Sequence, residues 1–267
     1  MVKDKLKGLV IGLLIGVLAC SSVVYAAAGT KIEVFYNNLK YIIDGVEQAP
    51  TVGKGFIYEG TTYVPLRFVG ESMGKPVSYD SKSETVYVGR PTYTEAPAMV
   101  IDPKKKYKAT MITSKGTITI DLFAKDAPLT VNNFFVLSNS GFYNDILFHR
   151  IMESFMVQAG DPEGTGAGGP GYTFKDELKN GHKYEPGTLA MANAGPDTNG
   201  SQFFICTGAD CAQLNELPNY SIFGKVSKGM DVLQTIAKTP VQESAYGEMS
   251  DPTYDVKILS IKVEVTK

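Results

Sequence analysis

Arg150 stands in "FHRIMESFMVQAGDP" (148–162), a mostly apolar run interrupted by His149, Arg150 and Gln158. Fixing an ionised guanidinium in such a run costs free energy unless a partner compensates it. A second apolar run, "GTLAMANAGPDTNGSQFFICT" (187–207), carries the amides Asn193 and Gln202. Neither run pairs a nucleophile with a base: Ser201 lies in "NGSQF", not in the G-x-S-x-G turn that exposes a reactive serine. "DTNG" (197–200) opens like a calcium loop but lacks the later Glu. The only histidines are His149 and His182, no cysteine set has zinc spacing, and His149 reads as structural. The glycines of 164–171 read as a loop flanking a groove, since no Gly-Lys-Ser/Thr follows to hold phosphate. What remains is a pocket for something apolar, with an arginine and several amides aimed at it and no call for a metal or cofactor. The rival assignment makes Arg150 a structural ion-pair residue, Phe155, Met156 and Phe204 ordinary core, and Gln158, Asn193 and Gln202 partners of loop backbone.

The elements that must position these groups are short strands. "KYKATMITSKGTITIDLF" predicts a hairpin turning at Lys115-Gly116, with Ile118, Ile120 and Leu122 on one face. "DAPLTVNNFFVLSNSGFYN" predicts a helix from Pro128 to Gly141 with Val131, Phe134, Phe135 and Leu137 as its apolar content. Further short strands, a helix at "GMDVLQTIAK" and a last strand at "YDVKILSIKVEV" follow. The fold class expected is mainly β: a closed barrel capped by two helices, over residues 106–267.

Ahead of it, 91–105 ("PTYTEAPAMVIDPKK") reads as a partly extended linker, and 29–90 as a small α+β module. In that module "KIEVFYNNLKYIIDG" predicts two strands around an Asn-Asn turn, ending at Asp44-Gly45. "GFIYEGTTYVPLRFVGESMG" predicts a hairpin at Glu59-Gly60 and a helix after Pro65, with Leu66, Val69 and Met73 on its packed face. "KPVSYDSKSETVYVG" adds two strands. Residues 1–28 have the layout of an export signal: Lys3, Lys5 and Lys7, an apolar stretch from Leu9 to Cys20, then small residues. Cleavage near Ala26 or Ala28 is the preferred ending, and lipid anchoring at Cys20 through "VLAC" is the alternative. Cleavage removes three Lys and one Asp from totals of 26 basic and 28 acidic residues, leaving a net charge of −4, which argues against nucleic acid as a partner. Of the two cysteines left, Cys206 reads as a buried strand thiol and Cys211 as an unrelated loop thiol, in preference to one local disulfide.

The motifs "FHRIMESFMVQAGDPEGTGAGGPGYTFKDE", "GTLAMANAGPDTNGSQFFICT" and "YSIFGKV" make residues 106 to 265 closely similar to the cyclophilin-type peptidyl-prolyl cis/trans isomerases. The resemblance implies that Arg150 is catalytic and that Phe155, Met156, Phe204 and Leu214 form a proline pocket, Leu214 competing with Leu217 for that place. It further implies that Gln158, Asn193 and Gln202 contact the substrate backbone, and that Ala192 and Ala194 line the groove. "GADCAQLNELPNY" (208–220) is longer than the family's usual loop. There Gln213 stands near the place of a tryptophan this chain lacks, and Tyr220, counted among the binding residues, stands where histidine is frequent. These departures bear on cyclosporin binding more than on catalysis. The module at 29–90 resembles the stalk domain related to the amino-terminal region of copper amine oxidases, but offers no copper ligand set. The function implied is isomerisation of X-Pro bonds in exported proteins, by a monomer that binds proline-containing polypeptides and touches the cell envelope through its stalk. A proline-peptide binding or surface-scaffold protein with incidental turnover is the alternative.

Overall fold

The computed structural model describes residues 32–80 and 84–266. Residues 1–28, expected to be an export signal, lie with Cys20 outside the described residues. Two compact units form, residues 32–42 with 47–65 and residues 43–46 with 66–266.

The amino-terminal strands are three residues long: β1 (Tyr41–Ile43), β2 (Val46–Gln48), β3 (Phe56–Tyr58) and β4 (Thr61–Tyr63). Glu59 and Gly60 have φ of 47° and 76°, the left-handed pair that a tight two-residue hairpin requires, and they place Phe56 opposite Tyr63 in β3–β4. Asp44 and Gly45 repeat this geometry between β1 and β2, at φ 49° and 80°. They are therefore a turn and not the end of a strand pair, and the strand expected before Asn37 reduces to one bridge, Phe35 to Ile57. Both differences follow from turn chemistry, because an Asp-Gly pair reverses the chain more readily than Asn37-Asn38.

The long stretch of the second unit opens with α1 (Leu66–Ser72), directly after Pro65, and continues with β5 (Val77–Asp80) and β6 (Thr85–Val88). Its buried face is not the expected one. Leu66 and Met73 are exposed, while Gly70 is buried where a Cβ would collide with the Val77 side chain. Close approach of β5 selects the glycine face over the more apolar one.

The rest of this unit is a nine-stranded antiparallel sheet with β7 (Lys106–Thr113), β8 (Gly116–Leu122), β9 (Ile146–Leu147), β10 (Arg150–Met152), β11 (Met156–Ala159), β12 (Thr188–Met191), β13 (Phe203–Cys206), β14 (Ile222–Lys228) and β17 (Lys257–Thr266). A separate two-stranded sheet holds β15 (Val241–Glu243) and β16 (Met249–Pro252). The large sheet runs β10-β11-β13-β12-β14-β8-β7-β17-β9. Its two edge strands, β9 and β10, are separated in the chain by Phe148 and His149 alone, so the sheet curls until its edges lie within a two-residue reach. The helices α2 (Pro128–Asn139) and α3 (Met230–Ala237) pack on it, and the expected mainly β, barrel-like architecture is present. Ile118 and Ile120 from β8, Phe134 from α2 and Phe203 and Ile205 from β13 meet in one buried core.

Residues 90–101 are fastened to the sheet domain rather than free. Arg90 donates to the carbonyls of Pro162, Asn144 and Asp145, and Tyr93 donates from its backbone to Pro170 at 3.2 Å. Asn132 of α2 accepts from Val100 and Ile101 and donates to the carbonyls of Pro97 and Ala98.

Candidate active site

Strand periodicity builds the pocket. In the antiparallel register Arg150 lies opposite Gln158, Gln158 opposite Phe204, and Met156 opposite Cys206, so these side chains share one face. The alternate residues Ile151, Val157, Phe203 and Ile205 face the barrel core. On the outer face Arg150, Met156, Gln158 and Phe204 line a cavity of about 230 Å³, with Phe155, Ala192, Asn193, Leu214 and Tyr220 completing it. Ala194 and Gln202 line an adjoining groove of about 610 Å³ that shares Gln158, Ala192 and Asn193 with the first. Arg150 and the binding residues that the resemblance implied, with Leu214 rather than Leu217, therefore fall on two contiguous depressions.

At rest the partner of Arg150 is a carboxylate that sequence reasoning missed. Its Nε donates to Glu248 Oε2 at 2.5 Å and its Nη2 to Glu248 Oε1 at 2.6 Å, a bidentate pair across 98 positions of sequence. Nη1 faces the pocket, 3.4 Å from Gln158 Oε1 and 4.0 Å from Met156 Sδ, and the guanidinium carbon lies 5.9 Å from the Phe155 ring centre. The ion-pair assignment and the pocket assignment of Arg150 thus hold together. The hydrogen bond from Arg150 holds the Glu248 carboxyl below the usual glutamate range. "SAYGEMSDP" carries no periodicity or motif that points at Glu248.

The amides form a relay. Gln158 Nε2 donates to Gln202 Oε1 at 2.9 Å, and Gln202 Nε2 donates to the carbonyls of Gly166 and Gly168, both at 2.9 Å. Asn193 Nδ2 donates to the Asn219 carbonyl at 3.0 Å, and its Oδ1 accepts from Gly195 at 3.3 Å. The Gln202 and Asn193 side chains therefore hold loop backbone, as the rival assignment supposed, while lining the groove. Ser201 is buried and donates to the Gly160 carbonyl at 2.6 Å, a structural use of its hydroxyl. Both ring nitrogens of His149 are buried without a hydrogen-bond partner among the described residues. Burial lowers its pKa, with Asp161 opposing and Arg150 adding, which favours a neutral ring.

The far wall corrects the cysteine reading. Cys206 and Cys211 are joined in a disulfide, with Cα atoms 5.7 Å apart. The bond ties β13 to the 3-10 helix Ala209–Asn215, which carries Leu214 into the pocket, whereas Leu217 is 69% exposed. A separation of five residues fits either reading, and only the doubling back of the helix over β13 brings the thiols together. Tyr184, also missed, stands behind this wall: it donates to the Tyr220 carbonyl at 2.5 Å and accepts from the Tyr220 N–H at 3.0 Å. Burial pushes its phenol up to about 12. Tyr220 then meets Phe204 edge to face at 5.5 Å.

Residues 108–263 match the cyclophilin type peptidyl-prolyl cis-trans isomerase/CLD family. The chain belongs to this family. It is accordingly a peptidyl-prolyl cis-trans isomerase, and residues 19–88 match the copper amine oxidase N-terminal domain. A peptidyl-prolyl cis-trans isomerase of Helicobacter pylori is 42% identical over 159 residues, covering 54% of this chain and 96% of that protein. The peptidyl-prolyl cis-trans isomerase-like 2 of Rhizopus delemar is 44% identical over 166 residues, 61% of this chain, and the match spans 30% of that protein's length. A crystal structure of a Cryptosporidium parvum cyclophilin type isomerase superposes with a TM-score of 0.55 at 35% identity, covering 61% of this chain and 99% of the other. The same isomerase in the presence of the dipeptide Ala-Pro gives a TM-score of 0.54 at 36% identity, over 60% of this chain and 99% of the other.

Proposed function

We propose that the isomerase accelerates rotation about X-Pro bonds in proteins that fold outside the cytoplasm, with Arg150 as its catalytic group. The observation that carries the reading is the Nη1 edge of Arg150 beside a cavity that sets Phe155, Met156, Phe204 and Leu214 against the polar groups of Gln158 and Asn193. Rotation about a peptide bond faces a barrier of about 18–20 kcal/mol from amide conjugation, and uncatalysed X-Pro isomerisation takes roughly tens to hundreds of seconds. Twisting destroys the conjugation, so the proline nitrogen becomes pyramidal and basic. A fixed cation beside it favours that state over either planar ground state, and a guanidinium stays charged throughout. Phe155, Met156, Phe204 and Leu214 hold the ring while the preceding residue turns, and the wider groove along Ala194 and Gln202 takes the rest of the chain. The structure of the Cryptosporidium parvum relative in the presence of the dipeptide Ala-Pro supports a proline-containing peptide as the occupant.

Arg150→Ala in a peptide isomerisation assay tests the assignment. A charged hydrogen bond contributes about 1.5–3 kcal/mol, so kcat/KM falls roughly 10- to 100-fold. Wild-type turnover no faster than the variant's overturns the role of Arg150.

Action outside the cytoplasm is supported by the signal-like residues 1–28 and by the Cys206–Cys211 disulfide, a bond that persists in oxidising compartments. Residues 29–90 serve as a spacer toward the envelope. Mass spectrometry of the mature protein is expected to find an amino terminus near Ala26 or Ala28, a lipidated Cys20 being the anchored variant of the same reading. An intact Met1 on protein recovered from the cytoplasm overturns export.

A further inference from the structure

The hairpin that presents Glu248 is fixed before the side chain engages anything. β15 and β16 pair Val241 with Pro252 and Gln242 with Asp251, and the turn between them closes through Ser244 N–H to Glu248 C=O at 2.8 Å and Gly247 N–H to Ser244 C=O at 3.0 Å. Ser250 supplies a further hydrogen bond to the carboxyl. From this platform Glu248 takes the Nε and Nη2 edge of Arg150. A guanidinium is a rigid planar fork, so gripping one edge fixes where the remaining donors point. Nη1 is left facing Gln158 Oε1 and Met156 Sδ, both of which line the cavity.

We propose that Glu248 is a positioning residue for isomerisation, holding the guanidinium of Arg150 so that Nη1 addresses the twisting amide. The inference rests on Arg150 being the catalytic group. Two effects of the carboxylate oppose each other: it aims the cation and it offsets part of its charge. Both side chains are about one-third exposed, at 33% and 34%, so solvent screens the loss of charge, whereas nothing replaces the lost orientation of a long, multi-rotor side chain. Orientation wins. An arginine already aimed needs no reorganisation when charge develops on the proline nitrogen, and misplacement of a reacting group is costly in rate.

The test is a set of Glu248→Ala, Glu248→Gln and Glu248→Asp variants of the full chain beside Arg150→Ala, assayed for kcat and KM on a proline peptide, with the Arg150 Nε–H followed by NMR. The alanine and glutamine variants are expected to lose roughly tenfold in kcat with KM within twofold, and the Nε–H signal to lose its protection from exchange. Glu248→Asp, which keeps the charge, recovers part of both. Glutamine preserves the volume, and thermal midpoints identify a variant whose hairpin alone has come loose. Unchanged or raised kcat, an altered KM alone, or an Nε–H signal indifferent to Glu248 overturns the proposal wherever Arg150→Ala is inactive. An active Arg150→Ala removes instead the catalytic reading on which it stands.

Discussion

The nine-stranded sheet and the β3–β4 hairpin are built from the same β-branched and aromatic residue types and end at opposite extremes of burial. Ile118, Ile120, Phe203 and Ile205 are completely buried, whereas among the described residues before Val77 no apolar side chain is buried. Strand length and layering make the difference. β7 and β8 run for eight and seven residues, so alternate side chains form a continuous face that α2 and α3 can cover. A three-residue strand presents one or two side chains per face, too few to share a buried layer among the described residues. The hairpin is organised by its turn, by the Phe35–Ile57 bridge and by ring contacts, the tightest of them Phe56 stacked on Tyr63 at 5.1 Å. Hydrophobic residues in strands thus report β-structure in both regions, but a core only where the strands are long enough to share one.

The largest effect expected from that contrast is at Phe134. Its ring meets Tyr143 at 5.4 Å, Phe203 at 5.5 Å and Phe223 at 5.2 Å, joining α2 to β13 and β14. Phe134→Ala leaves a cavity that packed neighbours cannot close, a loss of about 3–5 kcal/mol. Urea denaturation checks it, and a loss under 1 kcal/mol breaks the comparison at its stronger end.

Next in size is the Cys206–Cys211 bond. By chain entropy, closing so short a loop contributes about 2 kcal/mol, and here it also braces the wall that carries Leu214. Cys211→Ser is expected to lower stability by about that amount and to raise KM more than it lowers kcat, because the pocket loosens while Arg150 keeps its place. An unchanged KM separates the disulfide from the pocket.

How much of this was legible follows the same division. The β7–β8 hairpin, α2 and the inward set of β8 were readable because alternation and turn residues agree with a core that exists. The face of α1 was misread, since periodicity favours Leu66 and Met73 but close packing against Val77 demands Gly70. The residues that line the cavity and groove were legible through their motifs, and the side chains that brace them were not. Glu248, Tyr184 and the disulfide act across 98, 36 and 5 positions respectively, and nothing in local pattern encodes which distant residue a pocket wall will meet.

A smaller effect is expected at Asp161, which anchors the loop behind the groove. Burial raises its pKa, but N–H donors from Glu163, Gly168 and Gly166 and the Thr165 hydroxyl outweigh it and leave the pKa below the ordinary value. A carboxylate depressed on folding contributes stability that is present above the unfolded-state pKa, about 4, and is lost as pH falls from there toward the folded value. Acidification below pH ~4 is therefore expected to destabilise wild type more than Asp161→Asn. The same acid step loosens the loop whose Gly166 and Gly168 carbonyls accept from Gln202. Parallel acid curves for the two proteins count against an anchoring role for this carboxylate.

The smallest effect sharpens the comparison from its weaker end. Tyr63 is 44% exposed, and its main partner is Phe56, directly across the β3–β4 register. Tyr63→Ala removes the stacked pair with Phe56 and a tilted contact with Tyr58 at 6.4 Å and opens no enclosed cavity, so the loss is about 0.5–1.5 kcal/mol, felt locally. Hydrogen exchange at Tyr58 is the measurement, and its amide should exchange faster by roughly the corresponding factor, three- to tenfold. A loss as large as that of Phe134→Ala would mean that the hairpin has a core its exposure hides. An exchange change confined to β3 and β4 means that the hairpin is held by local contacts, its turn, its ring pairs and the Phe35–Ile57 bridge, with no shared core behind it.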